Sequence, residues 1–224
     1  MAGIAGSAAY GVAKGANIIA LRVCGKDNPF ISEMIKGIDS MITRHIARIF
    51  EIELDFRGSV ATMSIGGPFF SEPLEEAMIR ASAVGIHFVV AAGNGGVNAC
   101  TWSPGRRSLT SNIVAVGSIN VKDQRSSFSN YGPCVTVYAP GEKIATTGPN
   151  GPMEEVLVSG TSFAAPHVSG IMAAFLSRDE TLRFAPDRMK DKIMNLALFF
   201  EMDELQLHSL DLGLLVNNGK DQRA

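Results

Sequence analysis

Five short apolar runs limit what this chain can fold into: Asn17 to Val23, Val60 to Ile65, His87 to Ala92, Ile113 to Ile119 and Val135 to Ala139. Each is rich in Val, Ile and Ala, and none alternates cleanly between apolar and polar positions. A strand wetted on one face alternates, whereas a strand covered on both faces reads as a continuous apolar run. Between the runs lie segments with helical spacing. From Ile31 to Ile49 the apolar residues Ile31, Met34, Ile35, Ile38, Met41, Ile42, Ile46 and Ile49 recur mostly at steps of three and four, which predicts an amphipathic helix. Ser71-Glu72-Pro73 opens a second helix, with a hydroxyl to cap it and a proline in its first turn. Leu74, Ala77, Met78 and Ala81 form its inner stripe. Ser162 to Ser177 is small or apolar on nearly every side, as suits a helix at the centre of a domain. A closing helix begins near Pro186 and turns Met189, Ile193 and Leu196 inward. Strand alternating with helix predicts an α/β domain with a mostly parallel sheet, whose ligands bind at the carboxyl ends of the strands.

Composition narrows the functions such a domain can have. With 224 residues, 46% hydrophobic and 19% charged, the chain can bury one substantial core. Lys plus Arg number 20 against 22 Asp plus Glu, so the basic excess of a nucleic-acid binder is missing. No charge run is long enough to hold a membrane surface, and no uncharged apolar stretch reaches the roughly 18 residues of a spanning helix. The first 21 residues are apolar, but they lack a basic start and Lys14 interrupts them, so they read as structure and not as targeting. Three cysteines allow at most one disulfide and one free thiol, and no Cys/His cluster has zinc spacing.

Three segments carry chemistry. Ser64-Ile65-Gly66-Gly67 and Ala91-Ala92-Gly93-Asn94 stand at the carboxyl ends of two expected strands, where glycine lets backbone approach a ligand. Gly160-Thr161-Ser162-Phe163-Ala164-Ala165-Pro166-His167 is a small-residue turn running straight into the buried helix. Taken singly, a Ser at a helix start is a cap and an Asn before Gly is a turn. A Ser at the positive end of a helix is also where a nucleophile would find developing negative charge favoured.

In this order the three segments resemble the subtilisin-like serine proteases, in particular their proteinase K-like branch. Tyr10-Gly11-Val12-Ala13, Ser103-Pro104, Ser126-Ser127-Phe128-Ser129-Asn130-Tyr131-Gly132 and Ala139-Pro140-Gly141 extend the likeness. It runs from about Ala2 to about Met194, with residues 195–224 a weakly matched tail of one domain. The resemblance implies a three-layer fold and endopeptidase chemistry on peptide or protein substrates through an acyl-enzyme on Ser162. It gives Asn94 the oxyanion site, makes Ser64, Ile65 and Gly66 the strand against which an extended substrate lies, and makes Ala91, Ala92 and Gly93 the wall of the main side-chain pocket. Removing such an oxyanion amide costs roughly 10² to 10³ in rate, a figure known from subtilisins themselves. It also implies a Cys100–Cys134 disulfide, leaves Cys24 without a partner, and suggests a secreted or vacuolar parent. No cofactor is needed for the chemistry. Calcium commonly stabilises the family, but Thr136 stands where relatives carry an Asp ligand, and no calcium site can be assigned.

The departures are as informative. The family's Asp-Ser/Thr-Gly and His-Gly-Thr-His motifs are absent, and the four histidines are His45, His87, His167 and His208. Aligned by motif, the chain starts just past the place of the catalytic His, so the expected fold is this domain without its N-terminal strands. His45 reads as a boundary residue of its helix, His87 as a core or edge histidine opening a strand, His167 as packing, and His208 falls in the tail. The chain alone is therefore expected to be inactive, and a pseudoenzyme that binds peptide without cutting it is the rival reading. An unrelated α/β ligand-binding module would need a phosphate loop or a dinucleotide fingerprint, and the sequence has neither. The absent Asp strand would lie between Asn17–Val23 and Val60–Ile65, so the sheet is expected to be weak there, at Ile18, Ile19, Leu21 and Val23.

Overall fold

In the computed structural model, which describes residues 1–24, 31–51, 55–151, 154–200 and 213–216, four of the five apolar runs are neighbouring strands. They are β1 (Ser59–Met63), β2 (Ile86–Ala91), β3 (Val114–Ile119) and β4 (Val137–Pro140), paired in that order and all parallel. Further on, β5 (Ile144–Thr147) and β6 (Glu155–Val158) form a separate antiparallel hairpin. Short strands β7 (Leu198–Phe200) and β8 (Gly213–Leu215) extend the main sheet, β8 lying parallel to β4 and antiparallel to β7.

The helices are α1 (Ala2–Gly6), α2 (Ile31–Phe50), α3 (Glu72–Ala83), α4 (Thr161–Leu176) and α5 (Pro186–Leu196). They make three layers with the sheet. On one face, Val89, Val114, Val116 and Val137 meet Ala164, Val168 and Met172 of α4 and Met189 and Ile193 of α5. On the other, Phe88, Val90 and Ala115 meet Met34 and Ile38 of α2 and the Leu74, Ala77, Met78, Ala81 stripe of α3. Successive residues of β2 thus enter opposite cores, which is why every residue of that strand is buried and its sequence does not alternate.

Four expectations need correction. Asn17 to Val23 belongs to no ladder, and Ile18 and Ile19 are 50% and 60% exposed. Its composition suits a strand, but a strand is completed by a neighbour, and β1 ends the sheet with its outer edge unpaired among the described residues. The apolar stripe of α2 is only partly covered: Met34 and Ile38 are buried, whereas Ile31 and Ile49 in the end turns and Ile46 on the shoulder are exposed. His45 is no boundary residue; it is 2% exposed because both ring nitrogens find partners, Ser59 Oγ at 2.9 Å and the Val84 carbonyl at 3.0 Å. Ser71, expected to cap α3, precedes the helix without a side-chain capping bond, while the proline and the inner stripe fall as expected.

Candidate active site

The carboxyl ends of β1 and β2 and the amino end of α4 meet at one place. Gly160 turns the chain into α4 with φ of +148°, and it is fastened to the sheet by its N–H, which donates to the Gly141 carbonyl at 2.7 Å just past β4. A helix opening in this way must place its first N–H groups. The Thr161 N–H donates to Asn94 Oδ1 at 2.8 Å, and the Phe163 N–H donates to the Gly160 carbonyl at 2.9 Å. The N–H of Ser162 between them makes no hydrogen bond among the described residues.

Asn94 is oriented by the same helix start. Its Oδ1 accepts from the Thr161 N–H and from the Thr161 hydroxyl at 2.9 Å, so its Nδ2 is the end left to donate elsewhere. Thr161 is fully buried, and its Oγ1 accepts from the Gly93 N–H at 3.2 Å, so the Gly93 backbone and the Asn94 side chain are both tied to the start of α4. The residue before Ser162 therefore aims the amide, while the N–H of Ser162 itself stands free. That is a pair of donors for an anionic oxygen at the positive end of a helix.

Pro166 shapes the surroundings of Ser162 from inside α4. It has no N–H to give to the Ser162 carbonyl four residues back. Ser64 Oγ supplies the missing donor at 3.0 Å and so joins the residue after β1 to Ser162. The Ser162 hydroxyl points back towards the Ser64 carbonyl at 3.5 Å, too long to hold it firmly. Beyond Ser64, the backbone groups of Ile65 and Gly66 bond to nothing among the described residues, while Gly67 pairs with Ser103 in both directions at 3.0 Å. An open backbone edge thus ends in a fixed clip. Ala91, Ala92 and Gly93 leave the adjacent strand, and the Trp102 ring packs close to both Gly66 and Gly93.

The residues singled out from sequence lie together: Ser162, Asn94, Ser64 to Gly66 and Ala91 to Gly93 stand where the ends of β1 and β2 meet the start of α4. Cys100 and Cys134 are bridged, with Cα atoms 5.2 Å apart. No histidine among the described residues is bonded to Ser162. His167, one turn along α4, bonds through Nδ1 to the Phe163 carbonyl at 2.9 Å. His87 Nε2 lies 3.4 Å from the Arg183 carbonyl, and burial pushes its pKa down to about 4. Burial likewise lowers His45 and His167. His208 lies outside the described residues. Thr136 offers no carboxylate to calcium, and its hydroxyl is taken by the Ala115 N–H at 3.1 Å. No group of three or more His, Cys, Asp or Glu among the described residues is placed to hold a metal ion. No helix there is long and apolar enough to cross a membrane.

Sequence reasoning missed three residues that hold this arrangement: Thr161, Asn130 and Glu75. Glu75 is a buried carboxylate on α3 that accepts from Ser103 Oγ, Arg106 and Arg107 at 2.7–2.8 Å. Its signal in the sequence was a charge beside the apolar stripe of α3. For Thr161 and Asn130 it was a small polar residue inside each quoted motif.

The model of the subtilase family matches residues 1–222. The chain belongs to the subtilase family. It is 37% identical over 200 residues to subtilisin-like protease 8 of Arthroderma benhamiae, an alignment covering 84% of this chain and 40% of that protein. Cerevisin of Saccharomyces cerevisiae is 40% identical over 177 residues, covering 79% of this chain and 27% of cerevisin. A crystal structure of a cold adapted subtilisin-like serine proteinase superposes with a TM-score of 0.83 at 32% identity, over 98% of this chain and 73% of that one. This subtilase chain thus spans at most about two fifths of the curated relatives named here.

Proposed function

We propose that this chain carries the nucleophile, the oxyanion site and the substrate strand of a serine endopeptidase, and that alone it binds peptides without cutting them. The observation that supports the reading is the amide of Asn94, turned by Thr161 so that Nδ2 and the free Ser162 N–H form a donor pair beside the Ser162 hydroxyl. The unpaired backbone of Ile65 and Gly66 supplies the edge on which an extended peptide would add as a strand. In the working enzyme, attack by Ser162 Oγ on the scissile carbonyl needs a base to take its proton and a carboxylate to orient that base. None of the described histidines is positioned for this, so the reading takes the base and its carboxylate from outside the described residues. The Cys100–Cys134 bridge favours a parent in an oxidising compartment, secreted or vacuolar.

Turnover by the purified chain should lie about 10⁶-fold below that of a complete enzyme, the loss found in subtilisin when its base is removed. A fluorophosphonate probe should leave Ser162 unlabelled. Peptide cleavage that vanishes in Ser162→Ala would refute the inactivity. Failure of the chain to bind any extended peptide would refute the substrate strand.

A further inference from the structure

We propose that Asn130 is the positioning residue of the oxyanion turn, holding the backbone on both sides of Asn94 so that Thr161 has a fixed amide to aim. The proposal rests on the functional reading above and adds a residue to it. Asn130 is fully buried, yet every polar atom of its side chain is engaged with one short segment. Its Nδ2 donates to the Ala92 carbonyl at 2.8 Å, and its Oδ1 accepts from the Gly95 N–H at 3.0 Å and the Val97 N–H at 3.1 Å. Its own N–H donates to the Gly93 carbonyl at 3.0 Å. Residues 92, 93, 95 and 97 are thus fastened to one side chain and its backbone, and Asn94 is the residue they bracket.

Fit and chemistry both require an amide at 130. Gly93 has φ of +107°, and a Cβ there would lie 2.3 Å from Asn130 Nδ2, so the two residues are matched by shape as well as by bonding. A carboxylate would set an oxygen against the Ala92 carbonyl, and a hydroxyl could not reach three partners. Asn130 is anchored in turn. Tyr131 N–H donates to the Val97 carbonyl at 3.0 Å, Ala99 N–H donates to the Tyr131 carbonyl at 2.8 Å, and the Cys100–Cys134 bridge closes the same pair of segments. The oxyanion turn therefore hangs from a ladder fixed at its far end, independent of the flank where β1 is unpaired.

The test needs no catalysis. Two acetylated tetra-alanine peptides, one ending in a carboxylate and one in a carboxamide, are titrated against the 224-residue chain, followed by its single tryptophan, Trp102, which packs against Gly93 and Gly95. The carboxylate stands in for the oxyanion. Charge-assisted hydrogen bonds from the Ser162 N–H and Asn94 Nδ2 should make it bind about tenfold tighter than the carboxamide. Asn94→Ala and Asn130→Ala should each bring the two affinities within about twofold. Loss of folded protein weakens both peptides alike, so the ratio reads positioning and not stability. An Asn130→Ala chain that keeps the full preference overturns the proposal. Equal binding of both peptides that Asn94→Ala leaves unchanged overturns the oxyanion assignment, and binding of neither by the unaltered chain overturns the functional reading itself. Amide exchange in the unaltered chain is an independent measure. The Gly95 and Val97 N–H groups should be protected, and free exchange at both would also overturn the proposal.

Discussion

The turn around Asn94 and the flank beside β1 both stand at the border of the parallel sheet, and both are made of small and aliphatic residues. At the turn, the backbone from Ala92 to Val97 is met by Asn130, Thr161 and the residues of the neighbouring loop. At the flank, among the described residues, Asn17 to Val23 joins no ladder, the outer edge of β1 is unpaired, and Ile18, Ile19, Ile46 and Ile49 are exposed. The difference follows from where the partners lie. Every group that orders the turn is contributed by α4, by β2 and β3 or by the loops between them, all within this chain. At the flank, no described strand pairs with the outer edge of β1. The turn is thus ordered from within the described chain, and the flank beside β1 is not.

If the site side is as tightly determined as its bonds indicate, damage there should be severe, and Glu75→Gln should have the largest effect. The Glu75 carboxylate joins α3 to Ser103, Arg106 and Arg107, and Ser103 clips Gly67 at the end of the substrate edge. Burial alone would raise the pKa of this carboxyl; the bonds from Arg106, Ser103 and Arg107 outweigh it and hold it below the usual carboxylate range. Neutralising it leaves the Arg106 guanidinium without its counter-charge and Arg107 with only the partly exposed Glu76 carboxylate at 3.0 Å, and breaking a buried pair costs about 3–5 kcal/mol. Urea unfolding should show that loss, and peptide binding should weaken with it. A change under about 1 kcal/mol would mean that the clip is held by other contacts.

Acid should act on both regions. His45 fastens α2 to Ser59 at the start of β1 and to Val84, and His87 lies beside it at the start of β2, so both belong to the flank side of the sheet. The folded pKa of His87 is about 4, below the ordinary 6.5, because burial disfavours the charged ring. Its contribution is therefore complete above about pH 6.5 and is lost as pH falls from there towards 4, because the unfolded chain takes up the proton first. The shift corresponds to roughly 3 kcal/mol, and lowered pKa values at His45 and His167 act with the same sign. Glu75 adds its own loss only in stronger acid, as pH falls below the ordinary carboxylate value through its depressed folded one. Between pH 6.5 and 4, amide exchange should accelerate where the buried rings sit, in α2 and β1 through His45 and His87 and in α4 through His167. His87→Leu should flatten the stability profile over that window. An unchanged profile would remove His87 from the account.

The parts legible in the sequence are those whose signal is local. Ser162 stands in a contiguous motif at the head of an apolar helix, and β2 and β3 show themselves by burial on both faces. Asn94 was legible as a motif, but the reason its amide points correctly was not, because its partner Thr161 lies 67 residues away. Asn130 and Glu75 were hidden in the same way, as polar residues whose partners are set by tertiary contact. His45 shows that helical spacing locates a face without fixing how deeply that face is buried. The short strands β5 to β8, of three or four residues each, carry too little periodicity to register. Asn17 to Val23 is the opposite case: a strong strand composition without the neighbour that makes a strand.

That last segment supplies the smallest expected effect and the sharpest contrast with the site. Ile18 and Ile19 are half-exposed, and the side chain of Ile18 comes within reach of Gly6 while no strand covers either residue. Were the segment a paired core strand, removing each isoleucine would cost about 1.5–3 kcal/mol, so a double Ile18→Ser, Ile19→Ser chain would lose at least about 3. On an open flank the two changes together should alter stability by no more than about 1 kcal/mol, in line with surface substitutions. Their effect should appear in solution behaviour instead. Exposed isoleucines beside an unpaired strand edge recruit other chains, so the double variant should give a larger monomer fraction in size-exclusion chromatography with light scattering. A loss above about 3 kcal/mol with no gain of monomer would mean that the flank is closed in solution, and the contrast between the two regions would fail. If instead stability holds while monomer increases, the open edge of β1 limits how this chain behaves without limiting how the turn around Asn94 is built.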